Sequence, residues 1–218
     1  HENDNPSMVT KDMGNLINLY TEKSISFLRE KRNPNKPFLL YLSHTMMHTI
    51  IDASDNFRGK SEGGLYGDVV EEFDFETGRL LDVLDQLGLT QNTIVIYTSD
   101  NGPWNQDKYT KKKKGHPKNS IFWGDPGPLR NGKGSCYEGG YRLPCIIKWP
   151  GKIKPGVISD AIFATIDFMP TFSNICKFDL PESVLIDGID QTALLLGKRD
   201  KGRDFFYFNK AGVRKGKW

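Results

Sequence analysis

Two short apolar runs constrain what this chain can fold into. One reads Pro37-Phe38-Leu39-Leu40-Tyr41-Leu42-Ser43, the other Thr93-Ile94-Val95-Ile96-Tyr97-Thr98. Both are too short for an apolar helix, and neither alternates with polar residues, so both read as strands buried on two faces. Between them Tyr66, Val69, Val70, Phe73, Leu80, Leu81, Leu84 and Leu87 recur at helical spacing, with Gly88 as the stop. A strand, a crossover helix and a second strand make a βαβ unit with parallel pairing.

The flanking sequence extends this pattern. Residues 1–8 read as a polar arm. Val9, Met13, Leu16, Ile17, Tyr20, Phe27 and Leu28 predict a helix ending near Arg32, before Asn33-Pro34-Asn35. Residues 143–149 form a third strand candidate, closed by Pro150-Gly151. Asp167 is placed to cap a short helix reaching about Cys176, with Pro170 in its first turn. Phe205-Phe206-Tyr207-Phe208 starts a small separate sheet. The expected class is α/β: a largely parallel mixed sheet flanked by helices, incomplete, with residues 1–200 as one domain and 201–218 as the start of a small C-terminal subdomain.

Composition narrows the function classes. A net charge of +3 over 218 residues does not argue for a nucleic-acid binder. No apolar run approaches the roughly 18 residues that span a bilayer. No leader-like segment opens the chain, and it starts at His1 without a methionine, so an upstream segment is expected. Lys108, Lys111, Lys112, Lys113, Lys114 and Lys118 cluster in one stretch, which reads either as a solvated loop or as an attractor of anionic substrate. Cys136, Cys145 and Cys176 are too few and too scattered for a zinc cluster, and leave one disulfide open.

Three loops could carry chemistry. Ser99-Asp100-Asn101-Gly102 follows a strand directly, at the end where ligands gather in α/β sheets. Asp100 and Asn101 offer two hard oxygens for a divalent cation, and the same four residues also suit a plain turn. In the stretch 131–142, Lys133 stands between Gly132 and Gly134, with Gly139 and Gly140 beyond. Such a backbone can bend around a ligand and present an ammonium to an oxyanion, although the spacing is not that of a phosphate-binding P-loop. His44-Thr45-Met46-Met47-His48 follows the first apolar run. One of its histidines fits a proton donor or anion ligand, and a structural histidine fits equally well. The acidic run Asp68, Glu71, Glu72, Asp74 and Glu76 reads as a solvated helix face.

Taken in order, these segments resemble the type I, formylglycine-dependent sulfatases of the alkaline-phosphatase superfamily. The resemblance is carried by residues 37–48, by Gly64-Leu65-Tyr66-Gly67-Asp68-Val69-Val70-Glu71-Glu72, and by Thr98-Ser99-Asp100-Asn101-Gly102. It continues through residues 132–144 and Ile166-Asp167-Phe168-Met169-Pro170-Thr171. It implies hydrolysis of sulfate esters, either sulfated carbohydrate or aryl sulfate. It also implies a metal site containing Asp100 and Asn101, usually for Ca²⁺ with Mg²⁺ as the alternative, and a sulfate contact from Lys133. A histidine that binds sulfate and protonates the leaving oxygen resembles His48, with His44 as the weaker candidate. Gly139 and Gly140 resemble structural glycines. Cys136 stands where the family commonly has threonine, and Met47, Ile50 and Ile51 where it often has proline or other apolar residues.

The family's nucleophile is a formylglycine made within Cys/Ser-x-Pro-x-Arg, and no cysteine or serine of this chain has that context. That motif and an Asp-Asp metal pair are expected upstream of His1, and the family's small C-terminal sheet is expected to continue past Trp218. The segment alone is therefore expected to be inactive. A phosphodiesterase or phosphonate hydrolase of the same superfamily, or a non-catalytic binder of sulfated glycans, are the alternatives. The resemblance suggests a secreted, periplasmic or lysosomal setting and leaves oligomeric state open.

Overall fold

The computed structural model describes residues 12–48, 50–104, 124–208 and 212–216. The chain divides into two compact units, His1–Thr90 with Gln106–Gly124, and Gln91–Asn105 with Asp125–Trp218. The polar arm, Val9 and the lysine cluster lie outside the described residues.

In the first unit, helix α1 (Leu16–Ser26) continues into a π-helical turn at Phe27–Lys31 and stops at Arg32, whose backbone is extended. Helix α2 spans Gly64–Gln86. At its end Gly88 takes φ +67°. Its N–H donates to the Asp85 carbonyl at 2.9 Å while the Leu89 N–H reaches the Leu84 carbonyl at 2.8 Å. That paired closure needs a left-handed residue, which glycine supplies without strain. Ile17 of α1 and Val69 of α2 meet Met46, Ile51 and Ala53 in the core, flanked by Leu65, Tyr66 and Phe73.

The expectation of a doubly buried strand at residues 37–43 is corrected. The backbone has no ladder partner among the described residues. Phe38, Leu40 and Leu42 are half-buried, and the Phe38 ring sits 6.1 Å from that of Phe27. Leu39 and Tyr41, on the other face, are 78% and 85% exposed. An apolar run disappears from solvent only where a second layer covers it, and here one layer is present.

The acidic run is also corrected. Glu71 and Asp74 face solvent, but Asp68, Glu72 and Glu76 are buried. Four-residue spacing puts these three carboxylates on one stripe of α2. Asp68 and Glu72 accept from loop backbone, and Glu76 from side chains of the two helices. Asp68 accepts from the N–H groups of Gly59 (2.8 Å), Lys60 (3.0 Å) and Ser61 (2.8 Å). Glu72 accepts from the Ser54 N–H at 2.9 Å. Glu76 takes Asn18 Nδ2 at 3.1 Å and the Arg79 guanidinium at 2.8 Å. Burying a carboxylate is costly unless it is hydrogen-bonded, and each of these is.

In the second unit, β1 (Val95–Thr98) pairs antiparallel with β2 (Cys145–Lys148), setting Val95 against Lys148 and Thr98 against Cys145. Helix α3 (Glu138–Tyr141) lies in the connection between them. Helices α4 (Phe168–Cys176) and α5 (Thr192–Leu195) follow. Strands β3 (Phe205–Phe208) and β4 (Gly212–Lys215) form a second antiparallel pair, Phe205 against Lys215. The architecture is mixed α/β. The parallel pairing expected of the βαβ unit is not among the ladders of the described residues: residues 37–43 form no ladder, and β1 pairs with β2 alone. The outer face of that pair is open, with Ile146 66% exposed.

Asp167 precedes α4 as expected, yet its side chain does not cap that helix. It turns back to accept from the Ala164 N–H (3.0 Å) and gathers the Ile189 N–H (2.9 Å) and the Arg203 guanidinium (2.7 Å). Burial alone would raise its pKa, but Arg203 and these donors hold it below the usual carboxylate range.

Asp68 follows the same logic: burial raises its carboxyl, and the N–H groups of Ser61, Gly59 and Lys60, with the Arg58 charge, outweigh it and lower the pKa below 3.8. The stability it contributes is full above about pH 3.8 and is lost as pH falls through the lower folded value. Asp68→Ala, made in the protein expressed from its complete reading frame, is expected to lower unfolding stability at pH 7 by about 2–3 kcal/mol. Equal urea midpoints at pH 7 for variant and parent would contradict this.

Candidate active site

Strand β1 delivers its C-terminal end directly into Ser99-Asp100-Asn101-Gly102. Thr98 Oγ1 donates to the Pro144 carbonyl at 3.0 Å, so the strand end is tied to the residue before β2. The Asn101 N–H closes onto Asp100 Oδ1 at 2.9 Å. Asn101 Nδ2 donates to the Gly102 carbonyl at 3.1 Å, which leaves Oδ1 as the amide's acceptor. The Asp100 carboxylate is exposed. Among the described residues, neither Asp100 Oδ2 nor Asn101 Oδ1 accepts a hydrogen bond.

The glycine-rich stretch is locked to this corner through backbone. The Gly102 N–H donates to the Gly140 carbonyl at 2.9 Å, and the Lys133 N–H donates to the Pro103 carbonyl at 2.8 Å. A Cβ on Gly102 would stand 1.8 Å from the Gly139 carbonyl oxygen, and one on Gly139 would stand 1.9 Å from that of Asn131. Neither position can hold a side chain while the two loops touch. Asn131 takes a left-handed φ of +58°, and Gly134 takes +81°. Between them the Gly132 carbonyl accepts from Ser135 N (3.1 Å) and Ser135 Oγ (2.8 Å), closing a tight turn with Lys133 at its exposed tip. The Lys133 ammonium has no ion-pair partner among the described residues. Arg130 adds a second cation nearby in sequence, stacked 3.8 Å from the Tyr137 ring centroid.

The histidine loop belongs to the first unit. His44 packs between Tyr20 (centroids 5.4 Å) and Phe73 (4.6 Å). Its Nδ1 is buried with no hydrogen-bond partner among the described residues. Burial pushes its pKa below the usual 6.5, against a smaller opposing pull from the Glu76 charge. His44 is therefore a neutral, packed side chain at neutral pH. His48 is exposed at the end of the loop, where its N–H donates to the Thr45 carbonyl at 3.0 Å.

The donor set of Asp100 and Asn101 suits a hard cation in kind and falls short in number. Calcium takes about six to eight oxygens, and these residues offer two side chains. No group of three or more His, Cys, Asp or Glu that could hold a metal occurs among the described residues. A cleft of about 320 Å³ in the second unit, beside Pro103, Leu129, Gly139 and Arg142, is lined by neither Asp100, Asn101 nor Lys133.

Sequence reasoning placed Gly102 in the turn after the strand but missed that its lack of a Cβ brings the two loops together. Its signal was the pairing of one glycine after Asp-Asn with two after Glu138. It also passed over Glu138, which leads α3 and meets Arg214 at 3.1 Å and Arg142 at 3.6 Å.

Backbone hydrogen bonds hold the Asp100-Asn101 corner and the Lys133 turn on one frame in a mixed α/β protein. The family model described as Sulfatase matches residues 2–176, and the chain belongs to the sulfatase family. It is 37% identical over 198 residues to the steryl-sulfatase of Mus musculus, covering 91% of this chain and 30% of that protein. It is 34% identical over 211 residues to an N-acetylgalactosamine-6-O-sulfatase of Bacteroides thetaiotaomicron, covering 93% and 39%. A sulfatase from Pseudoalteromonas sp. of known crystal structure matches with a TM-score of 0.83 at 28% identity, over 97% of this chain and 42% of its own. The chain thus spans about a third of the length of these curated relatives.

Gly102→Ala is expected to open both loops at once. Amide hydrogen exchange in residues 99–103 and 132–140 should accelerate at least about tenfold, with α2 unaffected. Faster exchange confined to 99–103 would contradict the shared frame.

Proposed function

We propose that the protein to which this chain belongs hydrolyses sulfate esters, and that Asp100, Asn101, Lys133 and His48 are its contributions to the reaction. The observation that carries this reading is the double backbone lock, Gly102 to Gly140 and Lys133 to Pro103, which holds metal-type oxygens and an ammonium in one frame. Family membership over residues 2–176 supports it independently.

Cleaving a sulfate ester moves negative charge across the sulfuryl oxygens and onto a departing alkoxide or phenoxide. Lys133 binds the sulfate and meets that charge with an ammonium already in position, so little reorganisation is needed at the transition state. Asp100 and Asn101 provide part of the sphere of a divalent cation, Ca²⁺ by family preference, which when bound adds positive charge at the same oxygens. His48, exposed at the end of its loop, binds sulfate and donates a proton to the leaving oxygen. His44 instead holds the histidine loop against α1 and α2. The nucleophile, a formylglycine, is contributed from outside this chain. Residues 1–200 form part of the catalytic domain, and 201–218 begin a small C-terminal subdomain.

The substrate class is a sulfated carbohydrate or aryl sulfate. The Bacteroides relative's name, an N-acetylgalactosamine-6-O-sulfatase, favours carbohydrate. No helix among the described residues is long and apolar enough to cross a membrane.

In the protein from its complete reading frame, Lys133→Ala is expected to lower kcat/KM for an aryl sulfate by about 10²–10³. His48→Ala should harm alkyl sulfates more than aryl sulfates, because the poorer leaving group depends more on the proton. Faster turnover of a phosphate diester than of the matching sulfate would replace this reading with phosphoryl chemistry. The isolated 218-residue chain should give no turnover. Metal-dependent hydrolysis by the pure segment would show that the nucleophile lies within it.

A further inference from the structure

The loop that carries Lys133 is held from a third place, far along the sequence. We propose that Arg214 is a positioning residue of the site, acting through Glu138 on the frame that joins Lys133 to Asp100 and Asn101; this rests on the sulfatase reading above. Arg214 Nη1 lies 3.2 and 3.1 Å from the two Glu138 carboxylate oxygens. Its Nε donates to the Gly216 carbonyl at 3.0 Å, which fixes the guanidinium against its own strand end. Glu138 is the first residue of α3, and the next two residues form the lock. The Gly139 N–H donates to the Arg130 carbonyl at 3.0 Å, and the Gly140 carbonyl receives the Gly102 N–H at 2.9 Å.

The hairpin of β3 and β4 grips the same short helix through rings as well. Tyr141 meets Phe208 at 5.0 Å and Phe206 at 6.5 Å. A four-residue helix with two glycines has little rigidity of its own. Its orientation must come from what holds Glu138 and Tyr141. Arg142 also approaches Glu138, but at 3.6 Å and with a second pairing to the exposed Asp160 at 3.6 Å, so it is the looser partner.

The Arg214 and Glu138 side chains keep 21% and 30% of their surface exposed. When Arg214 is lost, Arg142 still stands 3.6 Å from the Glu138 carboxylate, so that charge is not left without a cation. Losing Arg214 should therefore disturb the site more than the fold, and that separates positioning from mere structure. Small displacements of positioned groups are known to cost large factors in rate.

The test uses the protein from its complete reading frame, with Arg214→Gln, Arg214→Lys, and Tyr207→Ser as a control on the exposed side of the same hairpin. Calcium binding is measured by titration calorimetry and thermal midpoint by scanning calorimetry. KM and kcat are then measured with an aryl sulfate. Arg214→Gln is expected to weaken calcium binding and raise KM, each by about tenfold. Its midpoint should match that of Tyr207→Ser, and Arg214→Lys should recover part of the loss. Unchanged calcium affinity in Arg214→Gln, or an equal loss in Tyr207→Ser, would overturn the proposal. If the parent binds calcium but turns over no sulfate ester, the sulfatase reading fails, and the calcium comparison still decides the role of Arg214. If the parent binds no calcium, faster amide exchange at both 99–103 and 130–140 in Arg214→Gln upholds the positioning role, and unchanged exchange refutes it.

Discussion

The site depends on one close backbone approach, that of Gly102 to Gly139 and Gly140. With a hydrogen bond of 2.9 Å and no room for a Cβ, the contact admits only glycine. The corner of Asp100 and Asn101 is set by β1 on one side and by this contact on the other. Lys133 is set by its own N–H on the Pro103 carbonyl, one residue beyond. Side chains on loops are ordinarily mobile, and reactivity needs them placed within a fraction of an ångström. Backbone-to-backbone locking achieves that without a regular element.

The first unit solves a related problem by different means. The long connection between the histidine loop and α2 has few ladder bonds, so its N–H groups need other acceptors. Asp68 and Glu72 supply them from within α2. Asp167 does the same in the second unit, where it holds Ala164, Ile189, Gln191 and Arg203 around one carboxylate. These buried acids organise loops, and their lowered pKa values at Asp68 and Asp167 reflect donors that outweigh desolvation.

Much of this was legible in the residues. The apolar period from Tyr66 to Leu87 and the glycine at 88 marked α2 almost to its ends, because periodicity and a left-handed stop are local properties. Asn33-Pro34-Asn35 marked the end of the preceding helix for the same reason. The order of motifs carried the family. Burial was harder to read. Asp68, Glu72 and Glu76 looked like a solvated face, since the donors to Asp68 and Glu72 lie in a loop whose path the sequence does not reveal and Glu76 is covered by Asn18 of α1. Leu39 and Tyr41 looked like core, since an apolar run does not state whether a second layer covers it. Strand direction was likewise beyond local pattern: nothing in residues 93–98 specifies that β2 returns antiparallel beside them. Residue type alone did not separate the two histidines; the resemblance favoured His48, and in the structure His44 is enclosed while His48 is exposed.

The most direct test of the central claim is a crystal structure of the protein from its complete reading frame, grown with calcium and a non-hydrolysed sulfate ester. The account predicts calcium at about 2.3–2.6 Å from oxygens of Asp100 and Asn101, and the Lys133 ammonium within hydrogen-bond reach of the sulfate. Calcium bound elsewhere, or a sulfate out of reach of Lys133, would contradict it.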